Sequence, residues 1–423
     1  MDVRMRKEAT KRVAKRKRGT GLKRLMIAIG VLIVAAVLWF TLGPAAPVEE
    51  KQVVKIGYIA PLTGGPSAIM QYGWRNMVDY LSYFEEVGVP GMELPPRVTI
   101  ELVWGDSGYE EIRATSIYER MRHDVVFFHL PASVESNALK SRLEKDGIAA
   151  MTMDSGEHVM YPPGQFFSVF CTESERFAGF CDWVMENWEE ERPPRVVLMG
   201  PDYPMVKAVE EHGTAYAKSI GIEMLPIELI PYLPLDVTPQ LLRVRERGAD
   251  YVYIETIWSS VIPVMKDAER LGLLDEIRFG AGIEDNVAVP LLEALGPAAE
   301  GYLGAKCFPW YEETPILNDI LREYQGRLDT SGGAASMLQF VPVTIEAIRI
   351  AIEEVGYENL DSRAVKEAFY GIKDFDPHHI GRPVTYTRQD HRGAPKLRMY
   401  EVRGGKVVPV SDWRDAQMLV PEK

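Results

Sequence analysis

Cysteine is scarce in this chain: there are three in 423 residues, Cys171, Cys181 and Cys307. Three cysteines make no disulfide framework, so a hydrophobic core has to hold the fold. A Cys171–Cys181 bridge is open to the chain outside the cell. Both residues flank an apolar helix face, however, and read better as small buried hydrophobes. No cysteine precedes Cys171, which excludes a lipid-modified N-terminal cysteine. Catalytic signatures are missing as well. There is no Gly-x-Ser-x-Gly elbow, no Walker loop and no His-Glu-x-x-His, and Gly280-Ala281-Gly282 lacks the third glycine of a dinucleotide loop. Asp374, Asp376, His378 and His379 lie close in sequence, but adjacent histidines in a Pro-containing turn read as solvated rather than as a metal site. Glu284-Asp285 is a pair of acids without a visible partner. The expectation is a protein that is not an enzyme and carries neither cofactor nor metal. No internal repeat of fixed period stands out.

Positive charge is also thin over most of the length, because it is concentrated at the start. Residues 1–24 carry eleven Lys and Arg against Asp2 and Glu8. Leu25 to Leu42 is then an uncharged apolar run of 18 residues, at the short end of what spans a bilayer. The positive-inside rule keeps the basic tail in the cytoplasm and sends everything after the run outside. Gly43-Pro44-Ala45-Ala46-Pro47 is a poor cleavage site, because Pro47 sits just past the natural cut. The expected organisation is a basic cytoplasmic tail (1–24), a transmembrane anchor, or failing that a removed signal segment (25–42), and a linker (43–52). Taking away the 11 basic and 2 acidic residues before position 46 leaves 37 against 59, a net charge of −22. Nucleic acid and anionic lipid headgroups are poor partners for such a surface. The remaining 378 residues exceed one ordinary domain, so two lobes are expected.

What is present is alternation. Val53 to Ile59 reads as a short buried strand, ending in the loop Pro61-Leu62-Thr63-Gly64-Gly65-Pro66. A helix follows with Trp74, Met77, Val78, Leu81 and Phe84 on one face. Strands at 98–104, 125–128, 148–151 and 166–170 then alternate with helices at 112–122 and 133–145. A second set follows the exposed turn Glu189-Glu190-Glu191-Arg192-Pro193-Pro194: strands 196–199, 222–230, 251–254 and 277–281, helices 206–220, 238–247, 261–271 and 287–295. Residues 315–370 read as mostly helical and 382–410 as short strands. Such alternation means parallel sheets covered by helices, with ligands held at the carboxyl ends of the strands.

The motifs are familiar in their order. Ile56-Gly57-Tyr58-Ile59-Ala60-Pro61-Leu62-Thr63-Gly64-Gly65 with Gln71-Tyr72-Gly73 resembles the start of type I periplasmic binding proteins, in particular the branched-chain amino acid and amide group serving ABC importers. Asp202-Tyr203 resembles that family's Asp-x-Tyr-Gly turn, with Pro204 in place of the glycine. Gly248-Ala249-Asp250-Tyr251-Val252, Gly296-Pro297-Ala298-Ala299-Glu300-Gly301, and Val384-Thr385-Tyr386 with Asp390-His391-Arg392 continue the likeness over roughly 53–415. The resemblance implies an α/β fold of two doubly wound parallel-sheet lobes joined by three crossovers, after one N-terminal transmembrane helix. Lobe 1 would hold 53–169 and 309–380, and lobe 2 would hold 170–308 and 381–423.

It also implies a ligand trapped between the lobes by hinge closure. Tyr72 matches the aromatic that lines the pocket. Ser133 follows a strand and opens a helix, where an N-cap hydroxyl neighbours an N-terminus suited to a carboxylate; Val134 removes a second serine that the family often has. Thr152, Asp154 and Ser155 lie on another strand-end loop, as two donors and an acceptor for an amine. Tyr203 matches the tyrosine that closes from lobe 2. Glu255 and Trp258 lie on a further cleft-facing loop, Trp258 as a stacking or apolar wall. Ser260 falls where branched-chain amino acid binders place a glutamate for the α-ammonium. Burying an ammonium without a counter-charge costs several kcal/mol or more, on the order of a buried ion's desolvation. Asp154, Glu255 or Asp285 would have to supply that charge; otherwise the ligand is an amide, a small carboxylate or another aliphatic polar solute. The expected function is an extracytoplasmic solute-binding protein, monomeric when soluble, that delivers to an ABC permease. Its rival is the ectodomain of a membrane sensor, which a neighbouring histidine kinase gene would favour.

Overall fold

The computed structural model describes residues 51–64, 67–153, 156–282, 289–309, 313–314 and 337–419, together with Met26, 29–31 and Ile33. Among these residues no helix is long and apolar enough to cross a membrane. The expected membrane segment at 25–42 falls almost wholly outside them. Residues 52–423 form one compact unit, separate from 1–51.

The strands of that unit assort into two sheets. The first is parallel throughout, with strands β1 (Gln52–Ala60), β2 (Val98–Asp106), β3 (Phe127–His129), β4 (Ala150–Met151) and β5 (Phe166–Phe167) in the order β2-β1-β3-β4-β5. Helices α1 (Ser67–Glu86), α2 (Glu111–Met121), α3 (Ser133–Asp146) and the short α4 (Glu157–Met160) connect them. β1 is buried from Ile56 to Ala60 because strands flank it and helices cover both its faces. Gly57 is needed there, since a Cβ would come within 2.5 Å of the Phe128 ring on β3.

The second sheet begins with α5 (Glu173–Glu186) packed beneath β6 (Arg195–Gly200). Around β6 lie β7 (Glu223–Met224), β8 (Glu228–Leu229) and, in parallel sequence, β9 (Tyr251–Ile254), β10 (Arg278–Ala281) and β11 (Leu303–Lys306). Antiparallel β12 (Lys396–Arg403) and β13 (Lys406–Pro409) complete the far edge. The strand expected over 222–230 is two short pieces, because Pro226 between them cannot continue the ladder. The helix expected over 206–220 is α6 (Pro204–Ala208), a π-helical turn at Val209–Gly213 and α7 (Thr214–Ser219). Gly213 lies in the π turn against Phe177, too close for a Cβ.

Three crossovers join the sheets. The first, after β5, and the third, before β12, pair with each other: Ser168 bridges Arg392, Ser168 N donates to His391 O at 3.0 Å, and Gly393 N donates to Ser168 O at 2.7 Å. The second, after β11, is tied to the first by a disulfide between Cys171 and Cys307, whose Cα atoms are 6.7 Å apart. This corrects the Cys171–Cys181 bridge; Cys171 is buried as expected, but it is bonded to Cys307. Cys181 is the free, buried thiol, because α5 turns it into the core of the second sheet, away from the crossover.

Charges lock the same place. Thr172 and Glu175 form a capping box at the start of α5. Glu175 also binds Arg392, and both are almost fully buried, while Arg392 Nη2 reaches Asp390 Oδ2 at 2.7 Å. Burial pushes the Glu175 carboxyl up, and Arg392 opposes it. Residues beyond the lobe division expected at 380/381 still pack with the first core. Val384, Tyr386 and Ala394 pack in the first core, with Tyr386 edge-on to Phe167 and Phe369, so the chain returns to the second sheet only at β12.

Replacing Arg392 by Met leaves Glu175 buried without its cation. We expect a loss of about 3–5 kcal/mol of unfolding free energy by urea denaturation; a loss below about 1 kcal/mol, the range of exposed pairs, would show that the buried ion pair is ornamental.

Candidate functional site

In each sheet the strand order reverses once, between β1 and β3 and between β6 and β9. The crevice for a ligand opens outside the carboxyl ends of the strands at such points. Of the residues expected from sequence, Ser133, Tyr203 and Glu255 follow strands at these points.

On the first sheet, Ser133 is 2% exposed and opens α3. Sequence suggested it as the N-cap; the structure gives that position to Ala132, which supplies no side-chain cap. The Ser133 hydroxyl instead shares a hydrogen bond of 3.0 Å with the hydroxyl of Tyr109. Thr152 is fully buried and shares a 2.9 Å hydrogen bond with Ser136. Tyr72 is half-buried on α1 and packs against the first core. Asp154 and Ser155 lie outside the described residues.

On the second sheet, Tyr203 is the residue before α6. Glu255 is fully buried at the end of β9, its carbonyl so near Gly200 that a Cβ there would come to 2.6 Å. Trp258 begins α9 (Trp258–Arg270), but its side chain and Asp285 lie outside the described residues. The hydroxyl of Ser260 donates to the carbonyl of Tyr232.

Two residues missed from sequence bring the sheets together. The ring of Tyr109, from the loop after β2, meets Tyr203 edge-on at 6.0 Å and Tyr232 at 6.2 Å; Tyr203 and Tyr232 are 5.4 Å apart. Of the expected residues, Ser133 and Tyr203 are thus linked through Tyr109. The available signal was local: each missed tyrosine sits in a strand-end loop, beside Gly108 in one case and between Pro231 and Pro234 in the other.

Below them, the loop of Tyr109 is braced. Asp106 accepts from Leu62 N (2.9 Å), Thr63 N (3.1 Å), Thr63 Oγ1 (2.7 Å) and Gly108 N (2.9 Å). Burial works against its charge, yet these donors hold its carboxyl below the usual range. Ser107 donates to Glu135, a fully buried residue of α3. Burial pushes the Glu135 carboxyl up to about 7. Glu157 of α4 is likewise pushed to about 7 by burial, although Thr172 (2.5 Å) and Ser174 (2.8 Å) at the start of α5 donate to it. This is a polar contact between the two lobes. Among the described residues there is no cluster of three or more metal-ligating side chains.

The model of a family described as periplasmic binding protein matches residues 53–406. No curated protein matches the chain in sequence. Among solved structures, a branched-chain amino acid ABC transporter protein from Thermus thermophilus with bound valine is 24% identical, with a TM-score of 0.78 over 86% of this chain and 97% of that one. A fatty acid ABC transporter substrate-binding protein from Thermomonospora curvata is 17% identical, with a TM-score of 0.76 over 88% and 97%. An ABC transporter solute-binding protein from Rhodopseudomonas palustris, in complex with 3,4-dihydroxybenzoic acid, is 15% identical, with a TM-score of 0.71 over 87% and 99%. At these identities the likeness is one of fold.

Glu135 gives a pH signature. Its folded pKa is raised above its unfolded value of 4.5, so its favourable contribution is whole below pH 4.5 and is lost as pH rises through 7. Glu135→Gln should therefore gain on the wild type by on the order of 3 kcal/mol between pH 4.5 and 8 in thermal unfolding. A pH-independent difference would show that the folded pKa of Glu135 is not raised.

Proposed function

The chain belongs to the periplasmic binding protein family, and from that premise we propose that it is the extracytoplasmic solute-binding protein of an ABC importer. In this reading the protein binds a small polar solute, an amino acid, amide or short carboxylate, by hinge closure between two lobes and delivers it to a permease. It is anchored by its N-terminal segment, monomeric as a soluble domain, and performs no chemistry on its ligand. The lobes divide near 169/170 and 308/309, with the third crossover just before β12.

One observation carries the reading. Tyr109, on a loop of the first sheet, meets Tyr203 and Tyr232 on loops of the second, beside the hydroxyl of Ser133. Two sheets that share three crossovers and touch through side chains at the far side are the parts a hinge-closing trap requires. The energy of closure then comes from contacts that the closed form alone makes to both lobes. Tyr72 lines this cleft in the same reading, and Asp154, Ser155, Glu255, Trp258 and Asp285 contribute from its loops. Ligand names among the fold relatives span valine, fatty acids and a dihydroxybenzoic acid, so fold does not choose among them. Ser260 argues against an ordinary branched-chain amino acid, because its hydroxyl is engaged with the Tyr232 carbonyl and supplies no carboxylate.

Thermal-shift screening of the fragment from residue 48, against amino acids, amides, urea and short carboxylates, tests the reading. A ligand at 100 times its Kd adds about 2.7 kcal/mol to unfolding. Tyr203→Ala should weaken any such ligand by roughly tenfold or more, the effect of about 1.4 kcal/mol. Strong stabilisation by leucine or valine would overturn the inference from Ser260, and unchanged affinity in the Ala variant would show that the cleft lies elsewhere.

A further inference from the structure

Tyr109 is held with more care than a loop residue needs. Gly108 and Tyr109 both have left-handed backbones, with φ of 60° and 66°. Glycine adopts that conformation freely, whereas tyrosine adopts it under strain. Such strain persists where the surroundings enforce it, and it gathers at ligand clamps. Here the surroundings are explicit: Asp106 gathers the donors of the 62–63 and 108 loops, and Glu135, buried, takes the hydroxyl of Ser107. The turn is built to place one phenol.

That phenol lies where a ligand was expected. Its hydroxyl is 3.0 Å from Ser133 Oγ, and its ring meets Tyr203 edge-on. Ser133 and Tyr203 are the two residues, one from each sheet, that the family likeness gives to the ligand. The hydroxyl of Tyr109 stands in for a ligand's polar group, and its ring for the ligand's body. Tyr232 completes the aromatic wall and is fixed by the hydrogen bond from Ser260 to its carbonyl.

We propose, resting on the solute-binding reading above, that Tyr109 is an internal occupant of the ligand subsite, and that the ligand is a small monocyclic aromatic bearing a hydroxyl or carboxylate, whose ring takes its place. Such a molecule offers Ser133 a hydrogen-bonding partner and offers Tyr203 and Tyr232 the face and edges that aromatic pairs prefer. An aliphatic amino acid brings no ring, and at position 260 it meets a serine in place of a counter-charge. Because the ligand must displace Tyr109, its apparent affinity is lowered by the fraction of molecules whose subsite is filled from within. Tyr109 thereby sets specificity: only a ligand that replaces both its hydrogen bond and its ring contacts competes with it.

The test is calorimetric titration of the full-length protein and its Tyr109→Ala and Tyr109→Phe variants with 4-hydroxybenzoate, and with valine as the aliphatic control. The wild type should bind 4-hydroxybenzoate. Tyr109→Ala should bind it roughly tenfold tighter or more, with the competing ring gone. Tyr109→Phe, which keeps the ring and loses the bond to Ser133, should fall between them, and valine should gain nothing. Weaker binding in Tyr109→Ala would make Tyr109 a ligand contact and overturn the proposal. Binding of valine or other aliphatic compounds with no aromatic acid bound would overturn the ligand class and leave the solute-binding reading standing. Failure of 4-hydroxybenzoate together with every compound in the thermal-shift screen, in wild type and variants alike, would sink the solute-binding reading itself. Should Tyr109→Ala not fold, the Phe variant decides: affinity for 4-hydroxybenzoate equal to or below the wild type overturns the proposal.

Discussion

Arg392 reaches from the third crossover into the first turn of α5 and meets Glu175 in a place from which water is almost fully excluded. The pair ties together the first and third of the three connections between the sheets. Glu175 caps the helix that follows the first crossover, so one carboxylate ties the helix start and the third crossover together. A buried pair of this kind adds little net stability over a well-packed apolar substitute, but losing one partner is costly. Its value is geometric. Cys171 and Cys307 extend the same junction to the second crossover, so all three connections are fastened within a few residues of one another.

In the proposed hinge closure, an axis fastened at one side would concentrate motion at the other. The far side of the cleft is held by aromatic contacts and by a hydrogen bond between hydroxyls, contacts that separate at modest cost. The carboxylates follow the same division. Glu135 braces the Tyr109 loop from within the first lobe, and Glu157 spans the lobes beside the hinge, where Thr172 and Ser174 receive it. Burial leaves both with pKa values of about 7, so the polar scaffold of the cleft is sensitive to pH near neutrality.

Much of this architecture was legible in the sequence, because it rests on local pattern. Val53 to Ile59 reads as a buried strand and is a strand, exposed at Val53 and continuously buried only from Ile56, and Tyr251 to Ile254 and Ile277 to Ala281 are strands as expected. Ser133 opens a helix after a strand, as its local pattern suggests, whereas Tyr203 was reached through the family likeness; both meet Tyr109. What escaped depends on distance along the chain. Arg392 and Glu175 are 217 residues apart, and Cys171 and Cys307 are 136 apart; no spacing rule joins them. Tyr109 escaped for a different reason. Its role comes from a left-handed backbone next to Gly108, and sequence patterns expect glycine, not tyrosine, in that conformation. The packing of the segment around Tyr386 in the first core escaped because strand propensity says nothing of which core a strand joins.

The central claim is that the two lobes close about the fastened hinge when a ligand binds. The direct measurement is the distance between spin labels at Glu111 and Glu210, exposed positions on α2 and on the π turn of the second sheet, taken without ligand and at saturation with a compound that stabilises the protein. The account predicts a broad distribution that collapses onto its shorter component when ligand is bound. A distribution that ligand leaves unchanged would contradict it.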